Sequence, residues 1–230
     1  MEQKPVQRQI PSRHEKEYFQ EMRRWAFPRF VDHFAAELRD CESILDLGCG
    51  SDSPVAYVSA SCKVGVDMHE PSLFESKKKG IHSENICANI TQIEFKSNSF
   101  DAVVMKDVLE HLSKQEGIEL IEKAEQWAKK KVIIAGPNGF IPQDAYDNNP
   151  HQRHVSGWTV EDFESMGFAV SGFHGLRFLR GELHQIRFRP KSFFSRLSDA
   201  SELVTFSHPA LAATLFCKKN LRTVHSNERY

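Results

Sequence analysis

The sequence predicts an α/β protein whose seven-stranded, mostly parallel sheet carries helices on both faces, in three α/β/α layers. Short apolar segments of the strand type alternate along the chain with segments of helical periodicity, and this alternation is typical of parallel sheets. Ligands of such sheets bind at the carboxyl ends of the strands. We therefore expect the functional residues in the loops that follow the first four strands.

The chain begins with a predicted helical extension, residues 1–40. Pro28 predicts a break between two helices there, because proline cannot occupy a helix interior without a large cost. The polar N-terminus lacks the apolar core of a signal peptide. Apolar residues recur at helical spacing at Tyr18, Phe19, Met22, Trp25, Ala26, Phe30, Phe34 and Leu38.

The strands are predicted from short apolar runs that end at glycines, prolines or charged residues. They cover 43–47, 63–68, 86–88, 101–105, 131–135, 168–173 and 210–217. Between the first two, Ser53 followed by Pro54 predicts a helix that runs to about Ser61, since serine caps a first turn that proline fits. A second helix is predicted from Pro71 to Gly80.

The later helices are predicted from their capping residues. Ser113 and Glu116 form a capping box before an amphipathic helix, and Thr159 caps a short helix that Gly167 ends. A further amphipathic helix is predicted within the long segment 177–209, from apolar residues at Phe193, Phe194, Leu197, Leu203, Val204 and Phe206.

The length of 230 residues fits one main domain, which we place at 41–218, followed by a polar tail at 219–230. Segments 137–158 and 177–209 are predicted to be variable lids over the site. The five scattered cysteines lack metal or disulfide spacing and are typical of a cytoplasmic protein. No apolar run approaches the ~20 residues of a membrane span.

The loop after the first strand reads Asp46-Leu-Gly48-Cys49-Gly50-Ser-Asp52. Glycines allow a ligand to approach the backbone closely, but Asp52 replaces the third glycine of the dinucleotide fingerprint and disfavours a pyrophosphate. Asp67 ends the second strand, where a carboxylate suits the hydroxyls of a ribose. The alternative is that Asp67 only caps the following helix.

Three motifs, ILDLGCG, GVDMHEPSL and CANITQIEFKSNSFDAVVMKDVLEHL, occur in this order. Together they resemble the class I S-adenosylmethionine-dependent methyltransferases over residues 41–136. The resemblance implies a Rossmann-like fold, S-adenosyl-L-methionine as cofactor, and methyl transfer by direct in-line displacement. It implies cofactor binding by Asp46, Gly48, Cys49, Gly50, Asp67, Met68, Asn89, Ile90 and Lys106.

The resemblance also implies a role for individual positions. Gly48 and Gly50 would border the methionine part, Asp67 would hold the ribose, and Met68 would pack on the adenine. Asn89 stands where the family usually has an acidic residue, and its side-chain oxygen could still accept a hydrogen bond from the adenine amino group. Ile90 completes the adenine slot, and Lys106 lies where the family lines the sulfonium and the substrate entrance.

A general base is needed only if the acceptor is weakly nucleophilic, since the sulfonium supplies an electrophilic methyl group. The candidates are His111, directly after the fourth strand, and His151 and His154 in the long loop after the fifth. His151 and His154 could also be imagined as metal ligands, but their spacing matches no recognised ligand pattern. The prediction is therefore that no metal is bound.

The acceptor is the least determined part of the function. The net charge of −1 gives no overall attraction for nucleic acid, whereas residues 177–230 hold ten basic and four acidic residues. The basic stretch is either a solvated surface or a binding face for an acidic substrate. We expect a small-molecule, glycan or lipid-type acceptor, and on the second interpretation it carries negative charge. The alternatives are an RNA or protein methyltransferase, a non-catalytic cofactor-binding domain, and an NAD-dependent oxidoreductase, which the missing third glycine disfavours. The oligomeric state is not predicted.

Overall fold

The computed structural model describes residues 30–145, 149–181 and 185–221. Its helices are α1 (Phe30–Glu37), α2 (Glu70–Lys79), α3 (Lys114–Trp127), α4 (Val160–Ser165) and α5 (Lys191–Thr205). Its strands are β1 (Ser43–Leu47), β2 (Cys62–Asp67), β3 (Glu84–Cys87), β4 (Phe100–Lys106), β5 (Ala128–Pro137), β6 (Ala169–Leu176) and β7 (Ala212–Asn220).

The seven strands form one sheet in the order β3-β2-β1-β4-β5-β7-β6. β1 pairs in parallel with β2 and with β4, so that Leu45 lies between Val64 and Val103. β7 is antiparallel to both of its neighbours. The sheet is therefore mixed but mostly parallel, as predicted, and the direction of winding reverses beside β1, the place where such sheets bind ligands.

Apolar side chains cover both faces of the sheet. Along β4, Val103 and Met105 point into one core with α3 and α4, while Ala102 and Val104 point into a second core with α1. Successive strand residues alternate between faces, so two separate cores show that the sheet is buried on both sides. The predicted three α/β/α layers are confirmed.

The capping signals mark the helix starts correctly. Ser113 and Glu116 form the predicted box at α3, Thr159 and Asp162 form another at α4, and α2 ends at Gly80 with φ +65°. These ends were predictable because each depends on a few neighbouring residues.

The predicted helix from Ser53 to Ser61 is wrong in its length. Ser53 does cap a helical turn, but the turn is a single 3-10 turn, Pro54–Tyr57. Val58 is already extended, and Val55 and Val58 are both buried in the second core. One turn therefore suffices to bury the apolar residues of this segment.

The chain ends match the prediction only in part. α1 confirms a helix with buried Phe30 and Phe34, while the predicted helix within residues 13–29 and the tail 222–230 lie outside the described residues. β7 runs to Asn220, two residues into the predicted tail. No helix in the described parts of the chain is long and apolar enough to cross a bilayer.

The helix predicted in segment 177–209 is confirmed as α5. It packs on the edge strand β6, where the backbone oxygen of Thr205 lies beside Gly172 and that of Ser198 beside Gly175. β6 is four strands from β1, which is about 19 Å at ~4.8 Å per strand. The role of this segment as a lid stays a prediction.

Candidate functional site at the carboxyl ends of β1, β2 and β4

The glycine loop after β1 is a tight turn. Gly48 and Gly50 have φ values of +66° and +55°, which non-glycine residues rarely adopt. The amides of Gly48 and Cys49 both donate to the carbonyl of Val66, at 2.8 and 3.1 Å. A Cβ atom on residue 48 would lie 2.5 Å from Val108 Cγ2, whereas one on residue 50 would meet nothing within 4 Å. The loop is thus packed on one side and open at Gly50.

Asp67 joins this loop to the end of β2. One carboxylate oxygen accepts the amide of Gly50 and the other accepts the amide of His69, each at 2.8 Å. His69 is the N-cap of α2, and no side chain caps this helix. Asp67 holds the amide of the N-cap residue and does not cap the first turn, so the capping alternative is not what the structure has. The side chain is half-buried, and each oxygen keeps a lone pair for a further donor such as a ribose hydroxyl.

Asp46 is buried beneath the loop. Its Oδ2 lies 2.9 Å from His82 Nε2, and His82 Nδ1 lies 3.0 Å from Ser76 Oγ. Since a carboxylate only accepts hydrogen bonds, Nε2 donates to Asp46, and Nδ1 of a neutral ring accepts from Ser76. The His82 ring also packs against Gly65, beside Cys49 Sγ. Asp46 therefore supports the loop from within, and its direct contact with a cofactor stays a prediction.

Cys49 is buried in the same place. Burial, with smaller contributions from Asp46 and Asp67, raises the pKa of its thiol far above the ordinary range. A thiol of this kind is inert as a nucleophile. Cys49 can contribute to a ligand site through its backbone and its shape, but not through thiolate chemistry.

The three residues predicted to surround the adenine lie beyond β2 and β3. Met68 is 41% exposed, which leaves its side chain free to cover a ring, and Ile90 is partly buried against the first core. Asn89 Oδ1 already accepts from the amide and the hydroxyl of Thr91, both at 3.0 Å. A carbonyl oxygen has two lone pairs, so the Asn89 group that remains for an adenine is its NH₂, a donor.

Lys106 and Asp107 end β4 beside the glycine loop. Their side chains form an ion pair. Burial lowers the pKa of Lys106, but the nearby Asp107 carboxylate outweighs it, and the net pKa is raised, with further contributions from Glu110 and Asp46. Asp107 has a positive φ of +53°, and its amide donates to the Ala135 carbonyl. Lys106 is therefore a fixed positive charge at the carboxyl edge of the sheet.

Two of the three predicted base candidates meet here, together with a glutamate. The ring centroids of His111 and His154 are 4.9 Å apart. Glu110 is buried between the same segments, and burial, reinforced by Asp107, raises its pKa to about 8. Burial also lowers the pKa of His111. His151, the third candidate, is exposed and lies outside this cluster.

The long loop after β5 is attached to the turn that follows β4. Val155 and Ser156 donate their amides to the carbonyl of Glu110 at 2.8 and 3.2 Å. Ser156 Oγ and Trp158 Nε1 donate to the carbonyl of Leu109 at 3.0 and 3.1 Å. Any movement that carried residues 155–158 away from the turn after β4 would have to break these bonds.

The sequence analysis missed two site residues, His82 and Glu110. His82 gives no local signal, since it pairs with a residue 36 positions away. Glu110 did give one: it is a charged residue among Val108, Leu109 and Leu112 in a segment that follows a buried strand. A carboxylate within an apolar segment must be hydrated or must be paired with a donor or a cation. Glu110 could therefore have been recognised as a candidate site residue.

Known proteins resemble this chain in sequence and in fold. A family model described as a methyltransferase domain matches residues 45–135. An uncharacterized protein of Methanocaldococcus jannaschii is 26% identical over 137 residues, which are 59% of this chain and 59% of that protein. The alignment thus spans less than two thirds of that relative's length.

Solved structures share the fold at low identity. An S-adenosylmethionine-dependent methyltransferase from Mesorhizobium loti superposes with a TM-score of 0.55 at 16% identity, covering 86% of this chain and 98% of that one. A methyltransferase of the same description from Archaeoglobus fulgidus gives 0.52 at 16% identity, covering 89% and 99%. At these identities the likeness shows the fold alone.

Proposed function

We propose that this chain is a class I S-adenosylmethionine-dependent methyltransferase and that it transfers the methyl group of S-adenosyl-L-methionine to a small-molecule, glycan or lipid-type acceptor. The observation that best supports this cofactor is the glycine loop after β1, at the point where the winding of the sheet reverses. There Gly48 and Gly50 turn the backbone, and Asp67 lies at the end of the adjacent strand.

The cofactor fits this place by its chemistry. Open space at Gly50 allows close approach, and the free lone pairs of Asp67 can accept two ribose hydroxyls. Met68 and Ile90 offer apolar surface for the adenine, with Asn89 as a donor at its edge. Lys106 is a cation, so it suits a carboxylate better than a sulfonium, and we assign it to the methionine carboxylate or to an anionic acceptor.

The protein itself has to align the acceptor with the methyl group and exclude water. His111 and His154 lie on the carboxyl side of β4, where they could accept a proton from the acceptor. His151 is exposed and does not belong to their cluster. Of the three predicted bases, His111 and His154 are therefore the ones we retain.

The proposed class of acceptor is inferred from the charge of the protein surface. Part of the basic stretch is already neutralised, since Lys218 pairs with Glu37 and Lys219 with Glu125. The basic residues that remain exposed in the described part of the stretch include Arg187, Arg189, Lys191 and Arg196. These are few exposed charges on a segment that packs four strands from β1, which suits electrostatic steering of a small anionic acceptor better than binding of a nucleic acid backbone. The unpaired cysteines of the described residues support a cytoplasmic location.

Calorimetric titration tests the cofactor directly. We expect the protein to bind S-adenosylmethionine and S-adenosylhomocysteine, and to show no comparable affinity for NAD. Incubation of metabolite, glycan and RNA pools with methyl-labelled cofactor then identifies the labelled acceptor. Binding of NAD without a response to S-adenosylhomocysteine would contradict the proposal, and cofactor binding without any labelled product would favour the non-catalytic alternative.

A further inference from the structure

The cluster of Glu110, His111 and His154 has the composition and the spacing of a metal site. One carboxylate oxygen and one ring nitrogen of each histidine lie within 4.8 Å of one another. Ligands of one ion are about 3–4 Å apart, since each metal–ligand bond is about 2.0–2.2 Å long, so a small inward movement of these side chains would complete the coordination. We propose that Glu110, His111 and His154 bind a divalent transition-metal ion at the carboxyl end of β4.

The histidine rings are already oriented for this role. His111 Nδ1 lies 3.2 Å from the carbonyl oxygen of Arg153, and His154 Nδ1 lies 2.7 Å from that of Ile141. A carbonyl only accepts, so Nδ1 carries the proton in both rings and Nε2 keeps its lone pair. Metal-binding histidines almost always hold their second nitrogen in this way.

The backbone brings the ligands together without an ion. Glu110 and His111 lie on one short turn after β4, and His154 lies on the loop whose next two amides donate to the Glu110 carbonyl. Gly136 on β5 leaves room for the Glu110 carboxylate, because a Cβ there would be 3.3 Å from Oε2. The site is therefore preorganised, which is what tight metal binding requires.

The charges also favour a cation. Glu110 is only 4% exposed, and a buried carboxylate is costly unless a cation or donors compensate it. Lys106 and Asp107 both act electrostatically on Glu110, and because they pair with each other their opposite charges largely offset at the cluster. A divalent ion bound between Glu110 and two neutral imidazoles would stabilise the ionised carboxylate.

Two imidazoles and one carboxylate, with no thiolate, are typical ligands of Zn²⁺, Fe²⁺, Co²⁺ or Mn²⁺, and they leave coordination positions open. On the proposed function, an oxygen of the acceptor occupies one of these. A metal-bound hydroxyl loses its proton to solvent more readily. Its oxygen then forms the new O–CH₃ bond while the S–CH₃ bond breaks and its electron pair stays on sulfur. With the ion bound, both Nε2 lone pairs coordinate it, so the metal replaces His111 and His154 in their role as candidate bases. The metal site itself does not depend on this step.

The test uses tag-free, chelator-treated protein without cofactor or acceptor. Co²⁺ is titrated by calorimetry and by its visible absorption, and X-ray absorption of the loaded protein counts the imidazole ligands. We expect one Co²⁺ per chain with two imidazoles. We expect affinity at least about 100-fold weaker in His154→Gln and in Glu110→Gln, and unchanged in the matched control His151→Gln.

Circular dichroism establishes that each variant is folded. The absence of saturable Co²⁺ binding, or equal affinity in folded His154→Gln, would overturn the proposal. If a variant does not fold, the X-ray absorption spectrum of the Co²⁺-loaded wild type provides the test. A coordination shell without two imidazoles would also overturn the proposal. Titration of S-adenosylhomocysteine into the metal-free protein is done in parallel, so that a failure of the proposed function is recognised separately from a failure of the metal site.

Discussion

The packing of the glycine loop against the β4 turn can be tested by adding one methyl group at position 48. In Gly48→Ala the new Cβ would lie 2.5 Å from Val108 Cγ2 in a backbone conformation with φ +66°. A positive φ costs an L-residue about 1–2 kcal/mol, and overpacking in a tight core costs a further ~1–3 kcal/mol. We therefore expect unfolding free energy to fall by about 2–5 kcal/mol.

Gly50→Ala is the matched control, because it has the same kind of φ, +55°, but no neighbour within 4 Å of the new Cβ. We expect it to cost only about 1–2 kcal/mol. Its methyl group would point into the space assigned to the cofactor, so it should weaken S-adenosylhomocysteine binding more than it weakens the fold. Urea denaturation measures the first effect and calorimetry the second.

The double variant Gly48→Ala/Val108→Ala separates the clash from the backbone strain. Removal of the Val108 methyl groups should recover about 1–3 kcal/mol relative to the sum of the two single variants. If the two single effects add to within about 0.5 kcal/mol, the loop after β1 is not packed against Val108, and the reasoning from the Cβ distance is refuted.

Three further predictions follow from the site and its surroundings. Asp67→Ala should lower cofactor affinity by about 2–4 kcal/mol, because charge-assisted hydrogen bonds are lost. The control Asp52→Ala, whose carboxylate is exposed on the glycine loop, should leave the affinity unchanged, and equal affinities of the two variants by calorimetry would place the ribose elsewhere. Reversal of Arg187, Arg189, Lys191 and Arg196 to Glu should slow labelling of an anionic acceptor and abolish its salt dependence without a change in cofactor affinity, and unchanged kinetics at low salt would remove the charge argument. Cys87 is exposed, whereas Cys49 and Cys217 are buried and have raised pKa values. Mass spectrometry should therefore find alkylation at Cys87 in the native protein and at the other two cysteines only on unfolding. Rapid labelling of Cys49 would mean that the glycine loop opens.

The fold was predictable where the signals are local. Capping boxes at Ser113 and Thr159 and the apolar run of β1 are decided by neighbouring residues, and the structure has them in place. The length of the helix after Ser53 was not predictable, because the packing of Val55 and Val58 in the second core decides where it ends. The insertion of β7 between β5 and β6 was not predictable either, since strand order leaves no local pattern.

The candidate site divides in the same way. The glycine loop and Asp67 belong to motifs that can be recognised from the sequence alone. The cluster of Glu110, His111 and His154 joins residues more than forty positions apart, so no spacing pattern identifies it. The same holds for His82, which reaches Asp46 only after β1 and β2 have paired. Sequence reasoning found the glycine loop, Asp67 and two histidines of the cluster from motifs and loop positions. It missed Glu110 and His82, whose partners are brought close only by the folded sheet.

The place of β7 in the sheet has a consequence for the order of assembly during synthesis. β3, β2, β1, β4 and β5 are complete when residue 137 has been made, and a growing chain can organise them first. β6 follows in sequence but has β7 as its neighbour in the sheet, so it must wait for residues 212–220. Until then β5 has an unpaired edge, which invites association with other chains. A chain cut before Ala212 would keep every cofactor motif and still lack an inner strand, and we expect it to aggregate.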